Sequence, residues 1–141
     1  MSATEPDRDP TPYELLGGER VLFALVERFY ALMDSEPEFH AVRKLHPEDL
    51  AGSRDKLFMF LSGYLGGPPL YQERIGNPML RARHLPYPIG KAERDAWLAC
   101  MGRALEESEV EPPELRYWLM QQFLATADWM RNKPGDMPGQ S

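Results

Sequence analysis

One histidine stands in a setting suited to ligand chemistry. His84 lies in Leu80-Arg81-Ala82-Arg83-His84-Leu85-Pro86-Tyr87-Pro88-Ile89, a short basic stretch closed by two prolines. An imidazole at the frayed end of a helical turn, stiffened by Pro-rich flanks, is placed as a fixed metal ligand would be. Leu80, Leu85 and Ile89 bracket it with the aliphatic surface that a flat apolar partner requires, and Arg81 and Arg83 offer cations to anionic groups on that partner. Taken alone, a histidine beside arginines is more often a surface or helix-end residue than a ligand. Tyr30, His46 and Trp97 carry a hydroxyl, a titratable ring and an indole N–H. By themselves they read also as two core aromatics and as an imidazole capping a helix through Asp49. Cys100 is the single cysteine, so one chain has no internal disulfide, thiolate zinc cluster or iron–sulfur centre. It reads as a small buried residue.

The elements that must position these groups are helical, because apolar residues recur at spacings of three and four rather than two. Gly17-Gly18 separates a short first turn from a long helix over about Glu19–Asp34, with Val21, Leu22, Leu25, Val26, Phe29, Leu32 and Met33 forming a wide apolar face. Short helical turns are expected between Pro37 and Leu45. A helix from about Asp49 to Leu65 follows Pro47, carries Leu50, Leu57, Phe60, Leu61 and Tyr64 on one face, and stops at Gly66-Gly67-Pro68-Pro69. Leu70 to Gly90 is so rich in glycine and proline that it holds a turn or two of helix, best placed at Met79–His84. Two more helices follow, about Lys91–Ser108 with an inward stripe of Trp97, Cys100 or Met101, Ala104 and Leu105, and Pro112 to about Arg131. The last carries Leu115, Trp118, Leu119, Gln122, Phe123 and Met130 on its apolar side.

With 141 residues the chain fits one all-α domain over residues 13–132, with polar Pro-rich and Gly-rich ends, 1–12 and 133–141, read as disordered tails. Its apolar runs fall far short of the roughly 20 residues that cross a bilayer, and Met1 to Asp9 has no signal-peptide pattern, so a soluble, cytoplasmic protein without a membrane partner is expected. A net charge of -6 argues against nucleic acid as a partner, since phosphate binding needs a concentrated basic face.

Gly66-Gly67-Pro68 with Tyr71, the block Gly76 to Gly90, Glu93-Arg94-Asp95-Ala96-Trp97-Leu98, and Arg28-Phe29-Tyr30 upstream together resemble the group II truncated hemoglobins of bacteria, collinearly over Tyr13 to Asn132. The resemblance implies a truncated globin fold: a two-over-two helical sandwich around haem b, with a long loop and one short turn on the proximal side. It makes His84 the proximal iron ligand, its other ring nitrogen held by a backbone carbonyl. Tyr30, His46 and Trp97 become the distal groups, and Ser53 and Leu57 lie one turn apart above the haem. Phe60 and Leu61 then line the inner cavity with Leu80 and Ile89, and Arg81 or Arg83 pairs with the propionates. Where many relatives read Gly-His-Pro, this chain has Gly76-Asn77-Pro78, so any bracing role of that histidine is lost, although asparagine still suits a turn.

The resemblance implies binding of O₂ and of other diatomic ligands such as CO and NO. Tyr30, His46 and Trp97 offer up to three hydrogen-bond donors to a ligand that gains negative charge, which predicts slow O₂ release. Slow release fits a sensor, scavenger or catalyst better than oxygen transport. The same pocket supports an enzymatic reading, nitric oxide dioxygenation or peroxidase-type turnover with a reductase partner. A third reading keeps the helices without haem, as an interaction module. Monomer and homodimer both remain open.

Overall fold

A computed structural model describes residues 9–134 of the chain. The expected tails lie outside the described residues except for 9–12 and 133–134, and in those Thr11 and Lys133 take part in tertiary structure. Among the described residues the secondary structure is helical throughout.

Helix α1 (Pro12–Leu16) opens with a reciprocal cap: Thr11 Oγ1 accepts from Glu14 N–H at 3.1 Å, and Glu14 Oε1 accepts from Thr11 N–H at 2.9 Å. It stops at Gly17, whose φ of 119° suits glycine, and a Cβ there would stand 2.6 Å from Val21 Cγ2. Helix α2 (Gly18–Ser35) begins at once and buries the seven apolar residues expected of it, together with Tyr30. A 3-10 turn (Pro37–Phe39) and α3 (His40–Arg43) lead to a loop held by one side chain. Arg43 donates to the carbonyls of Pro47 and Glu48, each at 3.0 Å, and pairs with Asp34 at 3.0 Å.

Helix α4 (Ala51–Tyr64) starts two residues later than expected, because Asp49 turns its carboxylate back to accept from Ala51 N–H at 2.9 Å. Of its predicted inner face Leu61 is buried, whereas Leu57 and Phe60 keep partial exposure because they border a cavity. At its end Tyr13 N–H donates to Leu65 O at 2.9 Å, and the Tyr13 ring lies where a Cβ on Gly67 would come within 2.5 Å. The paired glycines thus let α1 close over the end of α4.

Between Leu70 and Gly90 there are two single turns, α5 (Leu70–Arg74) and α6 (Leu80–His84); the first was not assigned from sequence. Helices α7 (Lys91–Glu106) and α8 (Pro113–Trp129) are the last helices among the described residues. Helix α2 packs on both α4 and α7, and α7 packs on α8, so the α2–α4 and α7–α8 pairs form a two-on-two sandwich. At its centre Cys100 Sγ donates to Phe29 O at 3.2 Å, and burial pushes the thiol up to about 12, so it stays protonated and inert. Two assignments are corrected: Tyr64, placed on the inner face of α4, is 39% exposed at the rim of a cavity, and Trp118 is 42% exposed. Trp118 stands one residue, about 100° of helix rotation, from Leu119 in the buried stripe of Leu119 and Phe123.

Candidate ligand-binding cavity

The partly exposed apolar residues of α4, α7 and α8 face one another across a cavity of about 520 Å³. That volume lies within the usual range for a cofactor or small-molecule site. The expected residues Tyr30, His46, Ser53, Leu57, Phe60, Leu61, Leu80, Arg83, His84, Ile89 and Trp97 all line it. Arg81 does not. Its guanidinium donates to the carbonyls of Trp129 and Arg131 and lies over the Trp129 ring, facing a shallower groove outside.

Helix α6 is only one turn long, yet that turn is what orients His84. Its Nδ1 lies 2.6 Å from the carbonyl of Leu80, four residues back, and a carbonyl only accepts. The ring proton therefore sits on Nδ1, and the lone pair of a neutral ring sits on Nε2. This is the tautomer a metal-ligating histidine takes when a backbone carbonyl fixes its ring.

His46 obeys the same logic, with Nδ1 2.9 Å from Val42 O. Burial lowers its pKa foremost, and the charges of Arg43 and His84 add to this against the opposing bond to Val42. A neutral ring with its proton committed to Val42 presents an accepting Nε2. Of the three polar groups named from the sequence, Tyr30 and Trp97 thus carry unpartnered donors and His46 an accepting nitrogen.

Tyr30 follows Phe29 on α2, and the step of about 100° per residue turns its ring from the core toward the cavity. It is 8% exposed, and burial raises its pKa, so the hydroxyl keeps its proton. Its ring meets Phe29 edge-on at 4.9 Å between centroids and His46 at 5.7 Å. Trp97 is wedged between Phe29 at 5.1 Å and Phe123 at 5.8 Å. Neither the Tyr30 hydroxyl nor the Trp97 indole N–H bonds to another described residue, so both remain available to a ligand.

Cations stand along the lining as well. Arg83 donates to Asn77 O at 3.1 Å and lies over the Tyr71 ring. Lys56, which sequence reasoning passed over, is exposed on α4 and forms no ion pair with a described residue. Its signal was present, since it immediately precedes Leu57 on the helix above the cavity. Phe123 and Met130 also line the cavity, but their spacing on α8 is that of any core stripe.

Residues 11–132 match the bacterial-like globin family. The chain belongs to that family, among the group II truncated hemoglobins. It is 44% identical over 122 residues to the group 2 truncated hemoglobin YjbI of Bacillus subtilis, covering 86% of this chain and 89% of that one. The group II 2-on-2 hemoglobin of Agrobacterium tumefaciens superposes with a TM-score of 0.87 at 45% identity, covering 92% of this chain and all of that one, 100%. The truncated oxygen-avid haemoglobin of Bacillus subtilis superposes with a TM-score of 0.80 at 44% identity, with 87% and 100% of the two chains covered. Haem-based binding of diatomic gases is the general function that this membership supports.

In this truncated globin Asn77 accepts from Met79 N–H at 3.1 Å through Oδ1 and helps carry the chain through the positive φ of Met79 into α6. The residue present therefore shapes the approach to His84. The cavity's imidazole at His84 with Nε2 unengaged, its apolar walls and its cations fit haem as the bound group.

Proposed function

We propose that this truncated globin holds haem b through His84 Nε2 and retains O₂ tightly beneath Tyr30 and Trp97. The observation that carries the reading is the pairing of hydrogen-bond states within one cavity. His84 is held by Leu80 O with its Nε2 lone pair free to ligate, while two unpartnered donors and one accepting ring line the same space. Leu57, Phe60, Leu61, Leu80 and Ile89 contact the apolar faces of the group. Arg83 and Lys56 offer cations to its carboxylates, and Arg81 instead secures the loop from outside.

Haem, when bound, supplies an iron at which diatomic gases bind reversibly. The chain contributes the rest. The Tyr30 hydroxyl and Trp97 N–H donate to a ligand that gains negative charge, and surrounding aromatics hold both rings so that little reorganisation accompanies binding. His46 Nε2 accepts a hydrogen bond from water beside the ligand, so the single Tyr30 O–H is kept for the ligand itself. Hydrogen bonds to charged groups contribute about 1.5 to 3 kcal/mol each, enough to slow release roughly tenfold or more. The oxygen-avid relative from Bacillus subtilis supports this reading.

A Soret band in protein supplied with haem, and its loss or weakening in His84→Ala, test the assignment. Unchanged haem retention by His84→Ala removes His84 as the ligand. The accepting ring of His46 favours a second reading, peroxidase-type turnover, because that chemistry needs a base beside the ligand. Mixing the ferric protein with peroxide and a reducing dye separates the two. Turnover dependent on His46 supports the enzyme, and its absence leaves gas binding.

A further inference from the structure

The turn that carries His84 has no buried apolar face of its own, so something else must hold it in place. Among the described residues α6 contains no buried side chain, and the loop after it is largely exposed until Ile89. A five-residue helix is far too short to be stable by itself. Its support comes from the segment that follows α8. The Asn132 side chain donates through Nδ2 to His84 O at 3.1 Å and Tyr87 O at 2.9 Å, and accepts through Oδ1 from Ile89 N–H at 2.9 Å. Its backbone N–H donates to Ile89 O at 2.8 Å. One asparagine thus satisfies backbone groups at both ends of the loop between α6 and α7.

The neighbours on either side extend the attachment. Arg81, on α6 itself, reaches the carbonyls of Trp129 and Arg131. Lys133 Nζ lies 2.9 Å from Oε2 of buried Glu93, whose Oε1 accepts from Gly90 N–H at 2.8 Å at the start of α7. The segment from Trp129 to Lys133 therefore straps the proximal loop at α6, at its middle and at α7.

We propose that Asn132 is the positioning residue of the proximal side, fixing the backbone of His84 and, through it, the direction in which Nε2 meets iron. This rests on His84 being the ligand. Groups behind a ligand set its orientation and basicity, and their loss commonly costs about tenfold or more in affinity. Asn132 acts one step further back, on the main chain that carries both His84 and its orienting carbonyl Leu80. Its side-chain amide does what a backbone strand would do, but without needing any regular element in this stretch.

The test is Asn132→Asp in the haem-loaded full chain. It keeps size and the acceptor for Ile89 N–H, and it sets a carboxylate oxygen against the carbonyls of His84 and Tyr87. The iron–histidine stretch in the resonance Raman spectrum of the ferrous protein should shift or broaden, and haem transfer to an acceptor globin should quicken roughly tenfold. Ser108→Ala controls for simple destabilisation. It removes the Ser108 bond to Leu105 O, 2.7 Å, at the opposite end of α7, and should lower stability without moving the stretch. An unmoved stretch in Asn132→Asp, or an equal shift in Ser108→Ala, overturns the role of Asn132.

His84→Gly with added imidazole distinguishes that failure from failure of the ligand assignment. A wild-type stretch that vanishes in His84→Gly and returns with imidazole keeps the assignment standing. A stretch unaffected by His84→Gly sinks both. Hydrogen exchange of the wild-type holoprotein guards against a variant that does not fold. The Asn132 amide should exchange within about tenfold of the α8 interior, and exchange at the free-peptide rate overturns the strap.

Discussion

At the scale of the residue, two histidines in the same backbone arrangement acquire different work from their surroundings. His84 and His46 each direct Nδ1 at the carbonyl four residues back, at 2.6 and 2.9 Å. His84 reaches the cavity from the loop side, whereas His46 lies beside the Tyr30 ring. Removing a donor should be felt directly: Tyr30→Phe and Trp97→Phe should each speed O₂ release about ten to a hundredfold in stopped-flow displacement. His46→Phe should affect release at neutral pH less than either, since it removes an acceptor. A lowered His46 pKa also has a consequence for stability. The unfolded ring binds its proton near its ordinary pKa of 6.5 while the folded ring resists it. The contribution is therefore complete above 6.5 and lost as pH falls from there through the folded value. Thermal unfolding between pH 7 and 5 should show wild type losing stability relative to His46→Phe. His46's acceptor state was not legible in the sequence, because it depends on where Val42 O points and on burial.

At the scale of the element, the site is assembled by breaks in the helical pattern as much as by helices. The α2 and α7 stripes were readable from spacing, since each helix buries one face along most of its length. Breaks at Gly17 and at Gly66-Gly67 were readable too, but not their cause, the approach of the Tyr13 ring to Gly67. Gly67→Ala should force that ring aside and lower stability by about 1–3 kcal/mol in denaturant unfolding, with little change in the haem spectrum. Helix α5 and the late start of α4 escaped the sequence reading for a common reason. A single turn has no periodicity to display, and a helix end is decided by which side chain captures the first free N–H, here Asp49 at Ala51.

At the scale of the whole molecule, the sandwich leaves a cavity of about 520 Å³ beside its buried core. A group that binds there and not to the unfolded chain contributes to stability by mass action, about 4 kcal/mol at a thousandfold excess over its Kd. Haem removal should therefore lower Tm by roughly 15 °C in a domain of this size, and equal Tm values for apo- and holoprotein would count against the cavity as the haem site. The sequence by itself determined the all-α class, the α2 and α7 faces and most of the residues that line the cavity with His84, because those depend on local spacing and on a collinear pattern of residue types. Only the tertiary structure decided that His46 commits Nδ1 to Val42 O, that Arg81 grips the end of α8 while Arg83 and Lys56 line the cavity, and that Asn132 bonds across the loop between α6 and α7. Those outcomes depend on carbonyls and side chains more than 40 residues apart in places, as between Asn132 and His84, and chain spacing carries no record of such meetings.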